Sequence, residues 1–145
     1  TNAQINKFEL PENGGVIEII AGEYENIKGT AATFTPVYLL NTKLNKGAKA
    51  SFNFPANYNT ALLVIEGSVK VNDIKNISTD HFALFENEGE EFTIEATENT
   101  VVLVLSGEPI EEPIVAHGPF VMNTQTEIMQ AFYDMNIGKF GYLED

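Results

Sequence analysis

Cysteine and arginine are absent from this 145-residue sequence, and histidine occurs only twice. Without cysteine the chain can form no disulfide, no thiolate metal site and no thiol nucleophile. Eight lysines against 21 acidic residues give a formal net charge of −13, so the cationic surface that nucleic acids and anionic lipids require is missing. No apolar run approaches the roughly 18 residues of a membrane span. We therefore expect a cytoplasmic protein with neither nucleic acid nor membrane among its partners.

The apolar content is sufficient for one folded core. Apolar residues make up 43% of the sequence, which argues against a disordered chain. With 145 residues the chain has the length of one typical domain and is too short for two. We therefore predict a single domain over residues 1–145.

Short runs rich in Val, Ile, Phe and Thr follow one another between residues 16 and 106, with turn residues between them. Runs of this kind at this spacing are typical of the strands of a β-sandwich or β-barrel. No run is followed by a long helical pattern, so an antiparallel all-β fold is favoured over a parallel sheet. The predicted strands are 16–21, 37–44, 49–54, 60–66, 69–71, 74–77, 82–85, 91–96 and 100–105.

The chain changes character after the last of these runs. Pro109, Pro113 and Pro119 indicate that residues 107–123 form an extended connector rather than a helix or strand. This connector is long and apolar, so we expect it to lie against another surface. Its apolar positions are Ile110, Ile114, Val115, Phe120, Val121 and Met122.

One helix is predicted at the end of the chain. Thr124 and Glu127 have the spacing of a capping box, which places the helix at about residues 124–137. Ile128, Phe132 and Met135 recur at helical intervals, and we predict that they form its buried stripe.

The motifs predict no catalytic residue. His81 and His117 lie far apart in the sequence, and neither has the spacing of a metal-binding or acid–base pair. His81 is more typical of a turn edge, and His117 of a connector side chain. The acidic residues in 86–91 alternate with Asn and Gly, which favours a solvated loop over a carboxylate pair with separated pKa values. No serine lies in a nucleophile-elbow motif.

Several stretches resemble a known family. Residues 62–72 (LLVIEGSVKVN) and 83–85 (ALF) are similar to the paired hairpins of a cupin, a small antiparallel β-barrel or jelly roll. Residues 105–110 (LSGEPI) and 112–124 (EPIVAHGPFVMNT) resemble the C-terminal cupin domain of the pirin family. With similar residues at 34–39 and 138–141, the resemblance covers about residues 21–141.

The resemblance implies a fold and different roles for two domains. Pirin-like proteins contain two cupin domains, of which the N-terminal one carries a histidine-rich iron site and the C-terminal one usually carries no metal. This chain would be the C-terminal cupin, with a barrel over about residues 16–106. The cupin ligand positions fall on Asn53, Pro55 and Thr60, with a fourth near Glu90. Because this set is a poor match for iron or zinc, we expect no metal in this chain and place the iron in the N-terminal domain.

Two interpretations of the strand around Asn53 remain open. Simple amphipathicity places Phe52 and Phe54 inside, whereas the cupin register places Asn53 and Pro55 inside. Neither arrangement supplies a metal-binding trio.

Two functions follow as hypotheses. The first is a metal-free C-terminal cupin without chemistry of its own, which packs against and regulates the N-terminal cupin of the same parent protein. Complete family members are associated with iron-dependent quercetin dioxygenase activity, and in eukaryotes with transcription-factor regulation. The second is a stand-alone cupin that binds a small molecule, or part of a quercetin 2,3-dioxygenase-like enzyme. Its candidate ligand-binding residues are Asn53, Tyr58, Thr60, Glu90 and His117. We also predict that a second copy can cover the apolar connector and form a homodimer.

Overall fold

The computed structural model describes residues 2–141 of the chain. They divide into two compact units, one that ends at Pro109 and one that begins at Ile110. Whether residues 1–145 form one domain stays a prediction, since two compact units can belong to one domain. Within residues 2–141, no helix has both the length and the apolar character that crossing a membrane demands.

The first unit is built almost entirely from β-strands. In chain order they are β1 (Asn6–Leu10), β2 (Gly15–Ala21), β3 (Glu23–Tyr24), β4 (Ile27–Lys28), β5 (Val37–Leu44), β6 (Lys49–Asn53), β7 (Asn59–Glu66), β8 (Ser68–Val71), β9 (Lys75–Ser78), β10 (Phe82–Leu84), β11 (Glu91–Ala96) and β12 (Thr100–Gly107). Short 3₁₀ turns at Asn2–Gln4 and Pro11–Asn13 flank β1. The sequence analysis did not predict β1, which is short and has only two apolar residues, Phe8 and Leu10.

Strands β5 to β12 form a jelly roll. One sheet has the order β1-β2-β5-β12-β7-β10 and the other the order β6-β11-β8-β9, and all pairings are antiparallel. Because the chain passes repeatedly from one sheet to the other, the two sheets enclose a common core. The predicted all-β jelly roll is confirmed. Within residues 2–141 no strand of one sheet pairs with a strand of the other, so the two sheets do not close into a barrel, which corrects that part of the prediction.

The interior of the sandwich is apolar. Phe52 and Phe54 are buried, whereas Asn53 and Pro55 are exposed. Amphipathicity therefore fixes the orientation of this strand, and the alternative register with Asn53 and Pro55 inside is wrong for this chain. The fully buried large side chains of the unit are Phe52, Ile17, Ile19, Leu40, Leu62, Ile94, Val64, Val69, Val102, Val104 and Thr42.

A short hairpin of β3 and β4 packs an aromatic ring on the core beside β1. The Tyr24 ring lies 5.3 Å from that of Phe8 and 5.5 Å from that of Phe52, and its hydroxyl donates to the Ser51 carbonyl at 3.1 Å. Burial, with a smaller contribution from Glu25, raises the pKa of Tyr24 to about 12.

The second unit contains a hairpin and a helix. The hairpin pairs β13 (Val115–His117) with β14 (Phe120–Met122), and the helix is α1 (Gln125–Asn136). The prediction that residues 107–123 form a connector without strands is therefore wrong, and β12 also extends into this range, to Gly107. Gly118 makes the tight turn possible, because its φ is +56° and a Cβ there would approach the Phe132 ring to 3.3 Å.

The helix begins as predicted. Thr124 accepts from the Glu127 amide at 3.2 Å, and the Glu127 carboxylate accepts from the Thr124 amide at 2.8 Å. The predicted buried stripe is only partly correct. Ile128 is buried and Phe132 half-buried, but Met135 is 41% exposed.

Candidate functional site

One small cavity opens at an end of the sandwich, and the structure brings three of the predicted site residues to it. Tyr58, Thr60 and Glu90 all line this cavity. Its volume is about 70 Å³. Pockets for drug-sized ligands measure roughly 300–1,000 Å³, so the space suits a few water molecules and not a flavonol.

Phenylalanine rings fill the rest of this part of the interior. The Phe92 ring lies 5.2 Å from Phe52, 6.1 Å from Phe54 and 4.5 Å from Phe85. These rings come from β6, the turn after it, the segment after β10, and β11. Close packing of four aromatic side chains leaves the small cavity as the remaining space.

Thr60 already has a partner. Its hydroxyl lies 2.8 Å from the Ser106 hydroxyl, and both residues are buried on the neighbouring strands β7 and β12. The two hydroxyls satisfy one another in an apolar interior, where an unpaired polar group is costly. Thr60, which lines the cavity, therefore has a hydrogen-bond partner without a ligand.

Tyr58 stands at the rim of the cavity. Partial desolvation, followed by the negative charge of Glu108, raises the pKa of Tyr58 above its ordinary value. The phenol therefore stays protonated at neutral pH and can donate a hydrogen bond. Its ring centroid lies 6.3 Å from that of Tyr38.

Glu90 belongs to an exposed acidic loop that borders the cavity. Glu86, Glu88 and Glu90 are all exposed. Asn87 in the same loop donates to the Asn59 side-chain oxygen at 3.3 Å. The exposure of the three carboxylates agrees with the solvated acidic loop that the sequence predicts.

The remaining candidates lie elsewhere. Asn53 is exposed and borders a separate hollow beside Tyr24. His117 belongs to the hairpin of the second unit, where its ring packs edge-on against Phe132 with centroids 5.4 Å apart. His81, predicted to lie at a turn edge, does so: its amide donates to the Ser78 carbonyl at 3.2 Å, and its Nδ1 lies 2.9 Å from the Thr79 carbonyl oxygen.

The cupin ligand positions of this chain do not suit iron or another transition metal. Asn53 and Pro55 are exposed, Thr60 is engaged with Ser106, and Glu90 lies in the solvated loop. Within residues 2–141, no group of three or more His, Asp or Glu side chains is arranged to hold a metal ion. The donors present are therefore too few and too scattered for an imidazole-rich centre.

The sequence analysis missed the residues that decide the character of this interior. Phe54, Phe85 and Phe92 line the cavity and were not among the candidates. The alternation of Phe with polar residues predicted that these rings face inward. It did not predict that rings from three separate segments of the chain meet at one cavity.

Comparisons with known proteins agree with this structure. A family model described as the pirin C-terminal cupin domain matches residues 39–141. A Pseudomonas aeruginosa protein whose name refers to quercetin 2,3-dioxygenase is 34% identical over 96% of this chain and 48% of its own length. Mouse pirin is 33% identical over 96% of this chain and 50% of its own length. The chain thus spans about half the length of these curated relatives.

A solved structure shows the same fold. The crystal structure of a quercetin 2,3-dioxygenase from Acinetobacter baumannii is 44% identical, with a TM-score of 0.89 over 98% of this chain and 49% of that chain. The sequence match, the jelly roll and the helix that follows it agree with one another. The chain belongs to the pirin family and corresponds to its C-terminal cupin domain.

Proposed function

We propose that this chain is a metal-free cupin domain that packs against, and regulates, an iron-binding N-terminal cupin domain of the same parent protein. The observation that carries the proposal is the filled interior, where four phenylalanine rings leave a cavity of about 70 Å³. A sandwich whose filled interior leaves no room for a substrate, and whose cupin ligand positions form no metal-binding trio, contributes by packing.

The relatives support a two-domain parent. They are about twice as long as this chain, and the matching family model describes a C-terminal domain. In this proposal the N-terminal domain carries the iron and any dioxygenase chemistry toward flavonols. The parent works in the cytoplasm.

Oxygen uptake tests the proposal. The purified chain is mixed with quercetin and ferrous iron, and oxygen consumption is compared with a blank that contains quercetin and iron alone. We expect no difference from the blank, because the chain offers iron no coordination site. Turnover above the blank would overturn the proposal.

A second candidate function is a small-molecule site at the cavity mouth. Tyr58, Thr60 and Glu90 converge there, and some relatives carry quercetin dioxygenase in their names. Titration with quercetin, with tyrosine fluorescence as the readout, distinguishes the two candidate functions. This candidate would be favoured if Tyr58→Phe abolishes quercetin binding and Tyr133→Phe leaves it unchanged. Tyr133 is the control because it is 59% exposed and lies in the second unit.

A further inference from the structure

Strand β6 lies at the edge of the four-stranded sheet. Within residues 2–141 it pairs with β11 alone, so its other side faces no strand of that sheet. Two hydrogen bonds just beyond its ends fix the pairing: the Phe54 amide donates to the Glu90 carbonyl at 2.8 Å, and the Ala96 amide donates to the Ala48 carbonyl at 2.9 Å. In an antiparallel pair the backbone groups of alternate residues point towards and away from the partner strand. The backbone groups of the odd-numbered residues of β6 therefore point to its open side.

A hydrogen bond links the open side of β6 to the hairpin of β3 and β4. The Tyr24 hydroxyl donates to the Ser51 carbonyl at 3.1 Å. The Ser51 amide and both backbone groups of Asn53 point the same way, and no strand within residues 2–141 pairs with them. An open strand edge is a template to which an extended polypeptide can add as a further strand. Pro55, which has no amide hydrogen, ends this template.

A hollow of about 260 Å³ borders the same edge. Residues 51–54 line it together with residues 23–25 of the hairpin. Its wall is partly aromatic, since the Tyr24 ring lies 5.5 Å from that of Phe52, which stacks on the Phe54 ring at 6.4 Å. A cavity of about 150 Å³ already admits benzene, so the hollow has room for a side chain of an added strand.

The rim of the hollow is acidic. Glu23, Glu25 and Glu91 line it and are all exposed, and no lysine lies among its eight lining residues. The chain's average of −13 over 145 residues would give a set of that size less than one net negative charge. A lysine or arginine side chain suits such a hollow, because its methylene stem packs on apolar surface while its charged end stays in water beside the carboxylates.

We propose that the open side of β6 and the acidic hollow beside it form a docking site for an extended segment of a partner protein that carries lysine or arginine at alternate positions. The segment adds to β6 as a further strand, and its backbone bonds with that of Ser51 and Asn53. Because successive side chains of a strand point to opposite faces, basic residues at alternate positions all reach the same face. Backbone pairing supplies affinity, and the carboxylates select a basic segment. The site depends neither on the proposed packing role nor on metal content.

Nuclear magnetic resonance with a peptide probe tests the proposal. The probe is acetyl-Lys-Thr-Lys-Thr-Lys-amide, which is added to the ¹⁵N-labelled chain. We expect the amide signals of Ser51 and Asn53 to shift and their hydrogen exchange to slow, because the probe pairs with these amides. Shifts confined to other residues, or no shift at all, would overturn the docking site.

Two methylated forms of the probe separate strand addition from general attraction between opposite charges. One is N-methylated at its lysine amides and the other at its threonine amides, and both keep the full positive charge. Only one of the two sets of amides faces β6 in an added strand. We therefore expect one form to bind as the probe does and the other form not to bind. The same affinity for both forms, or binding of neither, would overturn strand addition.

Paired charge variants test the acidic hollow. Glu23→Gln with Glu25→Gln removes two of its carboxylates. The matched control, Glu9→Gln with Glu66→Gln, removes the same charge from exposed positions of the six-stranded sheet. The first pair should raise the dissociation constant of the probe about fivefold, and the control by less than about twofold. Circular dichroism checks that the variants are folded, and Glu25→Gln alone replaces the first pair if that does not fold. An equal effect of the two pairs would overturn the role of the hollow.

Discussion

The hydroxyls of Thr60 and Ser106 lie 2.8 Å apart on adjacent strands, buried between apolar side chains. Thr60 occupies a cupin ligand position, yet its hydroxyl stabilises the sheet interior instead. The same position that would face a metal in a metal-binding cupin thus serves packing in this domain.

The first prediction concerns this pair. Thr60→Val keeps the shape of the side chain but leaves the Ser106 hydroxyl buried without a partner. The free energy of unfolding should therefore fall by about 1–3 kcal/mol. The double variant with Ser106→Ala removes both hydroxyls and should lose less stability than the sum of the single changes. Urea denaturation of the four proteins measures the coupling, and additive losses would show that the hydrogen bond contributes nothing.

A second prediction concerns Thr42 at the centre of the core. Its hydroxyl is fully buried and, among the described residues, has no hydrogen-bond partner. Thr42→Val is nearly isosteric and should raise the free energy of unfolding by about 1 kcal/mol or more, because an unsatisfied buried hydroxyl is removed. Thr93→Val, at a half-buried strand position, should change it by less than about 0.5 kcal/mol. Destabilisation by Thr42→Val would contradict this account of the core.

The third prediction follows from Tyr24. Burial raises the pKa of Tyr24 from 10.0 to about 12, so the folded chain holds the phenolic proton more tightly than the unfolded chain does. The stability linked to this group is complete below pH 10 and is lost as the pH rises towards 12. Tyr24→Phe removes the hydrogen bond to Ser51 and should lower the free energy of unfolding by about 0.5–1.5 kcal/mol at neutral pH. It should also weaken the decline of this free energy at alkaline pH. Denaturation between neutral and alkaline pH measures both, and an unchanged decline in the variant would refute the assignment.

The fourth prediction concerns Glu18. Burial acts to raise its pKa, but hydrogen bonds from Lys43, Asn41 and Lys7 outweigh burial and hold the pKa below the ordinary 4.5. The stability that depends on this carboxylate is therefore present above pH 4.5 and is lost as the pH falls through the lower folded-state value. Glu18→Gln should cost about 1–3 kcal/mol at neutral pH and flatten the acid side of the stability profile. Glu9→Gln, at an exposed position of β1, is the control and should leave both unchanged.

Much of the fold was predictable because strand alternation depends on local sequence. The strands 37–44 and 91–96 were predicted with the bounds that the structure shows. The hairpin of β13 and β14 was missed, because its strands have three residues each and are held by packing of Gly118 and Phe120 against Phe132. Contacts of that kind are not visible in a local pattern.

The candidate site was less predictable. Sequence spacing placed Asn53 and Pro55 at ligand positions, but the preference of Phe52 and Phe54 for the core decided the orientation of the strand. Nor did any motif mark Glu18, whose burial depends on partners from two neighbouring strands. The burial of Glu18 follows from the register of β1 and β5 against β2, which the sequence does not state.

Metal content tests the central claim most directly. The purified, tag-free chain is incubated with iron, zinc, nickel or copper, dialysed against a weak chelator, and assayed by elemental analysis. The cupin ligand positions carry Asn53, Pro55 and Glu90, which are exposed, and Thr60, whose hydroxyl is hydrogen-bonded to Ser106. We therefore predict far less than one metal ion per chain. A content near one equivalent of any of these metals would contradict the account.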